Sequence, residues 1–254
     1  MELPSVSYSI HSPRGRRQES GAVPREEDIT LYVNGRPLVS MMCFPTLLEE
    51  LAIGFLYNER LIDSIDDVAV AELCGSRRCI DVWLEHDIDL PQFRTITSGC
   101  SGGTTFDDAV HEHHRVESDL RVTSDEALRL MDELSVQASF YQETGGMHSS
   151  ALAEDGGLVC VAEDIGRHNT LDKIAGLCLR KRLACDHCLL LTSGRISSEM
   201  VSKAARLGVP IVVSRTSPTS LAIELAHAWN ITLIGYARGN SLRVYTGEWR
   251  LQEH

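Results

Sequence analysis

No stretch of this sequence reaches the roughly 18 consecutive apolar residues that cross a bilayer, and its opening, MELPSVSYSIHSPRGRRQES, holds no apolar core of a secretion signal. Neither a membrane nor an exported location is expected, and a cytoplasmic one is. Basic residues are scarce: 24 Lys and Arg stand against 36 Asp and Glu, a net charge of −12. Nucleic-acid backbones are bound by accumulated cations, which argues against a general nucleic-acid binder. An anionic ligand therefore needs a local basic site, which a cleft can focus against the net charge. A disulfide framework is also missing, because eight cysteines are scattered over 254 residues, a chain long enough to bury a full core. All eight read as reduced thiols.

Along the chain, residues 1–24 mix Ser, Pro, Gly and charge, which predicts a flexible arm. A small α+β part is expected over 25–95. It begins with a hairpin of DITLYV and PLVSMMCF around Asn34-Gly35. A capping box at Thr46 and Glu49 then precedes a helix with Leu48, Leu51, Ala52 and Phe55 on one face, and a strand pair follows near 66–74 and 79–85. Residues 96–122 form a glycine-rich cysteine loop and linker. From 123 to 254 the pattern is α/β: a helix capped by Thr123 and Glu126 running to Gly145-Gly146, a hairpin, then helices and short apolar strands in alternation. That alternation predicts a largely parallel sheet covered on both faces.

Three strand ends carry similar polar sequences, AEDIGRHN (162–169), LTSGRISSE (191–199) and VSRTSPTS (213–220). Parallel strands point their carboxyl ends to one edge, where open α/β sheets bind ligands. Arg167, Arg195 and Arg215, with Arg238 in YARGN, are the candidate cations, and the helix N-termini beside them offer free N–H groups. Other features carry less. His111 to His114 read as solvated linker rather than metal ligands, and Cys185 and Cys188 as structural, since no second pair matches their spacing. His148, after a Gly-Gly turn, is a possible acid/base. Cys100, in TSGCSGG, sits among small residues that give it nothing to pack against.

The segments LYVNGRPL, SGCSGG, TGGMHSSAL, EDIGRHNTLDKIAG, LLLTSGRISSEMVSKAARLGVPIVVSRTSPTSLAIELA and TLIGYARGNSLRVY together resemble the FdhD (NarQ) family of formate dehydrogenase accessory proteins. The resemblance implies a cytidine deaminase-like α/β/α sandwich without the deaminase zinc site. No His-x-Glu is paired with Pro-Cys-x-x-Cys in this sequence, and no metal ligand is expected. It also implies sulfur transfer from a cysteine desulfurase to the molybdenum or tungsten bis-guanine-dinucleotide cofactor of formate dehydrogenase, with the catalytic subunit as a partner and a homodimer as the assembly. Carried over by position, Cys100 is the persulfide carrier. The cofactor, with its GDP-like moieties, falls to Arg167, His168, Asn169, Ser193, Gly194, Arg195, Ser197, Arg215, Thr216, Ser217, Tyr236, Ala237, Arg238, Gly239, Asn240 and Ser241. Many members have Cys-x-x-Cys at the loop, where this sequence has Gly103. Two alternatives need no thiol: a chaperone that binds the cofactor without handling sulfur, and a phosphosugar-binding or isomerase-type protein.

Overall fold

The structure, a computed structural model, describes residues 2–75, 78–92, 94–96 and 115–252. Cys100 and the run from His111 to His114 lie outside the described residues. Where composition predicts a loose arm, the chain forms an antiparallel hairpin of β1 (Ser5–Ser12) and β2 (Gly15–Ala22). The reason is local: Ser5-Val6-Ser7-Tyr8-Ser9-Ile10 alternates with the period of a strand, and Ser7 and Ser20 meet across the pair at 3.1 Å between hydroxyl oxygens.

A second sheet follows in the order β5-β6-β3-β4-β7. Its strands are β3 (Glu27–Val33), β4 (Arg36–Cys43), β5 (Val68–Leu73), β6 (Cys79–Leu84) and β7 (Arg94–Ile96). Helix α1 (Leu48–Asn58) lies between β4 and β5 in sequence and packs Leu51, Ala52, Phe55 and Leu56 on this sheet. The expected capping box is absent. Leu47 takes the N-cap position in a left-handed conformation with no side-chain cap bond, and the Thr46 hydroxyl lies instead 3.5 Å from Lys173 Nζ. The strand ends at Cys74 and Cys79 are joined by a disulfide, which corrects the expectation that every cysteine is a free thiol.

After β8 (Val122–Thr123), helix α2 (Ser124–Gln137) starts as its sequence implies, with Thr123 Oγ1 accepting the Glu126 N–H at 3.2 Å. It does not run on to Tyr141. The chain breaks at Ala138 and restarts as α3 (Ser139–Thr144), whose Phe140 and Tyr141 N–H groups donate to the Glu163 carboxylate at 3.1 and 2.7 Å. That remote acceptor satisfies the free donors of a new helix start.

The main sheet has the order β10-β9-β11-β12-β13-β14. Its strands are β9 (His148–Glu154), β10 (Gly157–Asp164), β11 (Leu189–Thr192), β12 (Ile211–Ser214), β13 (Thr232–Arg238) and β14 (Ser241–Thr246). Strands β10, β11, β12 and β13 run in one direction, but only β11–β12 and β12–β13 are parallel neighbours; β9 and β14, each joined to its neighbour by a hairpin, run the other way and make the remaining pairs antiparallel. The sheet is thus mixed rather than largely parallel, because tight turns at Asp155-Gly156 and Gly239-Asn240 return the chain with no crossover. Alternation sorts its residues. Leu190, Val212 and Leu233 face α4 (Arg167–Lys181), α5 (Ser198–Arg206) and α6 (Ser220–Ala228), while Leu191, Val213 and Ile234 face α2. A last strand, β15 (Leu251–Gln252), pairs with β8.

The two sheets are joined through α1 and α4, whose backbones meet. A Cβ on Gly54 stands 1.8 Å from the Asp172 carbonyl oxygen, and one on Gly176 stands 2.0 Å from that of Glu50. Only glycine permits this approach. Two buried ion pairs flank the contact, Lys173 with Asp164 at 2.6 Å and Lys203 with Asp172 at 2.8 Å. No helix among the described residues is long and apolar enough to cross a membrane.

Candidate functional site

One edge of the main sheet collects the polar strand ends. Register pairs Asp164 with His148 and Thr192 with both Ser150 and Ser214, so the start of β9 and the ends of β10, β11 and β12 share that edge. The loop after β11 is folded by its own hydroxyls: Gly194 N–H donates to Thr192 Oγ1 at 3.2 Å, and Ser214 Oγ donates to the Gly194 carbonyl at 2.6 Å. The next loop locks onto it, with Ile196 N–H on the Ser217 carbonyl and Thr219 N–H on that of Ile196.

A cleft of about 420 Å³ opens there, and His148, Ser193, Arg215, Thr216 and Arg238 line it. Gly194 lies against its wall: a Cβ at that position stands 2.9 Å from Arg167 Cβ and 3.4 Å from His148 Nδ1. Ser193 Oγ accepts the Ser149 N–H at 3.0 Å and lies 3.4 Å from His148 Nδ1. Arg215 reaches across to the Ser135 hydroxyl at 2.8 Å. Arg238 and Arg243 both stand over the Tyr236 ring, at 5.6 and 4.1 Å from its centroid.

The electrostatics are those of a site short of negative charge. Burial, and then the neighbouring Arg195, hold the Arg167 guanidinium below its ordinary pKa. Burial, and then Arg167, likewise lower that of His148, which leaves the imidazole neutral at neutral pH. Arg167 Nε is buried without a hydrogen-bond partner among the described residues. Glu199 lies 3.1 Å from His168 Nδ1 and 3.7 Å from Lys203 Nζ, Lys203 also pairs with Asp172, and among the described residues no ion pair includes Arg167, Arg195, Arg215 or Arg238. Burial opposes ionisation of Glu199, yet the His168 hydrogen bond and the Lys203 charge outweigh it and hold that carboxyl at about 2. Like charges left facing one another at helix N-termini are suited to an anion that bridges them.

Not every candidate faces this cleft. Asn169 is buried and donates to the Met42 carbonyl and to Asp164 Oδ1, at 3.0 and 2.9 Å. Ala237 is a core residue against α2. Ser197 caps α5, accepting the Met200 N–H at 3.4 Å. Gly239, Asn240 and Ser241 are exposed at the β13–β14 turn. The sequence reading missed Ser135, Tyr141 and Ile165, which also line the cleft, and Glu199, the partner of His168. The Gly145-Gly146 stop was the one local sign that α3 would end beside His148.

Fold and edge together define the class: an open mixed α/β sheet whose polar strand edge carries Arg167, Arg195, Arg215 and Arg238. The comparisons make the assignment specific. Residues 24–252 match the model of the FdhD/NarQ family, and the chain belongs to that family. It is 35% identical over 239 residues to the sulfur carrier protein FdhD of Shouchella clausii, covering 91% of this chain and 90% of that one. Against the sulfur carrier protein FdhD of Bacillus subtilis the identity is 36% over 250 residues, covering 93% and 95%. A crystal structure from Desulfotalea psychrophila, described as that of a formate dehydrogenase accessory protein, superposes with a TM-score of 0.84 at 27% identity, covering 98% of this chain and 99% of the other.

Proposed function

We propose that this chain carries sulfur for the maturation of formate dehydrogenase. A cysteine desulfurase hands sulfane sulfur to Cys100, and the Cys100 persulfide delivers it to a molybdenum or tungsten bis-guanine-dinucleotide cofactor held as substrate at the cationic edge. In the first step the Cys100 thiolate attacks the terminal sulfur of the desulfurase persulfide. A new S–S bond forms at Cys100 as the old one breaks, and the desulfurase cysteine leaves as thiolate. In the second step the S–S bond breaks, Cys100 leaves with the bonding pair as thiolate, and the sulfur is delivered as neutral sulfane sulfur to the cofactor as substrate, whose reduced metal centre would supply the two electrons that make it sulfide. Gly103 offers no neighbouring thiol to divert it into a loop disulfide.

The observation that carries this reading is the group of four arginines, in no ion pair among the described residues, at one strand edge of a chain whose net charge is −12. Arginine forks match phosphate oxygens, and a guanine dinucleotide brings a diphosphate. His148, neutral beside Ser193, can accept or return a proton at Nδ1. Tyr236 and Thr216 offer a ring and a hydroxyl at the same edge. The layering of α2 on one face and α4, α5 and α6 on the other supports the deaminase-like kinship. The reading carries with it a cytoplasmic reaction, a homodimer and docking of the formate dehydrogenase catalytic subunit.

Intact-mass measurement after incubation with a desulfurase and cysteine tests the proposal. One added sulfur is expected at Cys100 and none in Cys100→Ala, which should also fail to mature formate dehydrogenase. Full maturation by Cys100→Ala would leave a cofactor-binding chaperone that handles no sulfur.

A further inference from the structure

The Cys74–Cys79 disulfide closes the turn between β5 and β6, and sulfur carriage at Cys100 leaves it without a role. Strand alternation sets its exposure. Ile80, Val82 and Leu84 are buried in the core under α1, so Cys79, Asp81 and Trp83 point to the opposite face of the sheet. Trp83 and its cross-strand partner Val70 are exposed there, and β5 is the last strand of the sheet on that side. Both cysteines are half-buried, with exposed Gly75 and Arg78 inside their ring. The five other described cysteines are buried free thiols. The two strands hold together without the bond: they are paired from Val68 with Leu84 to Leu73 with Ile80, and the Cys74 N–H donates to the Cys79 carbonyl at 2.9 Å. A ring spanning only five positions of sequence also removes less chain entropy than a longer one. The two sulfurs differ. The Cys79 N–H donates to Cys74 Sγ at 3.0 Å, and a hydrogen bond to the charged form favours it, here the Cys74 thiolate.

We infer that Cys74 and Cys79 form a reversible thiol–disulfide exchange site on the outer face of the N-terminal sheet, whose co-reactant is a low-molecular-weight thiol of the glutathione class. The small thiolate attacks Cys79 Sγ. A mixed disulfide forms there as the internal bond breaks, and Cys74 leaves with the bonding pair as thiolate beside the Cys79 N–H. It takes up the proton that the small thiol gave up. A second small thiolate then attacks the small-molecule sulfur of the mixed disulfide, and Cys79 leaves as thiolate and is protonated in turn. One protein disulfide is reduced by two electrons, and two small thiols are oxidised to one disulfide. The same steps reversed close the ring again, with Cys74 as the internal attacking thiolate.

The test uses the folded full-length chain, first oxidised with oxidised glutathione and desalted. Reduced glutathione is added, free thiols are capped with N-ethylmaleimide, and the chain is cleaved after Lys and Arg. Cys74 then lies on peptide 61–77 and Cys79 on peptide 79–94, each with no other cysteine, so the disulfide is read as a cross-link between them. The cross-link should open with circular dichroism unchanged and form again in oxidised glutathione. A cross-link that never forms, that opens only in urea, or that does not form again would overturn the inference. Single-cysteine variants test the asymmetry. Loaded with glutathione, Cys79→Ser should release it from Cys74 several-fold faster than Cys74→Ser releases it from Cys79. Equal rates, or the reverse order, would overturn Cys74 as the leaving thiolate. If either variant fails to fold, the wild-type cross-link alone decides.

Discussion

Replacing Arg195 by alanine separates ligand binding from folding. Its side chain is exposed, so truncation removes little packing. Its charge acts on Arg167, whose pKa it helps to lower against the opposing pull of Glu199, and Arg195 itself has no ion-pair partner among the described residues. In the free protein, therefore, Arg195→Ala relieves repulsion, and the urea midpoint should stay level or rise. In the complex the same change removes a charge-assisted hydrogen bond to phosphate, which contributes about 1.5–3 kcal/mol. At about 1.4 kcal/mol per decade, GDP should bind roughly ten- to hundredfold more weakly. Titration calorimetry reads the affinity and a urea melt reads the fold. Arg180→Ala is the control, because Arg180 pairs with Glu49 and Glu50 on the α1–α4 side, and it should leave GDP affinity unchanged. Wild-type affinity in a folded Arg195→Ala would refute the reasoning, as would a loss of affinity that merely tracks a loss of stability.

Gly54→Ala should cost about 3 kcal/mol by chemical denaturation, the upper range for overpacking, since its Cβ meets the backbone of α4 rather than a side chain that can swing away. Lys203→Met should cost about 3–5 kcal/mol by leaving Asp172 buried and unpaired, and Lys203→Met/Asp172→Leu should recover most of that in the same assay. His148 has a lowered pKa in the fold, so its contribution to stability is full above its ordinary value of 6.5 and is lost as the pH falls below it. The stability difference between wild type and His148→Gln should therefore change across that acid window and be flat above it; a difference independent of pH would show that His148 does not titrate differently on folding.

What the sequence made legible was local. The continuous apolar runs LLLT and IVVS are central strands because both of their faces are covered. Thr123 and Ser197 announce their helices because a cap hydroxyl and the N–H it accepts lie three residues apart. Where partners are remote, the pattern misleads. Thr46 has the spacing of a capping residue, but Lys173, 127 residues away, takes its hydroxyl. The helix expected to continue to Tyr141 breaks because Glu163 supplies acceptors for a new start. Arg167 and Arg195 were visible as cations, while Glu199, which lies 3.1 Å from His168 Nδ1, looked like any acidic residue in the first turn of a helix.

The Asp164 carboxylate shows why the cationic edge and the N-terminal sheet belong to one device. Its Oδ1 accepts from Gly166 N–H and from Asn169 Nδ2, both at 2.9 Å, which fixes the turn that presents Arg167. Its Oδ2 accepts the Phe44 N–H at 3.1 Å, just past the end of β4, and Lys173 neutralises the pair. One buried group thus ties the arginine loop to the N-terminal sheet. Strand β7 runs parallel to β4, with Ile96 opposite Met41, so the chain leaves β7 in the direction that β4 takes toward Phe44 and Asp164. Asn169 adds to the same tie: by donating to both the Met42 carbonyl and Asp164 it sets where the end of β4 meets the loop that carries Arg167.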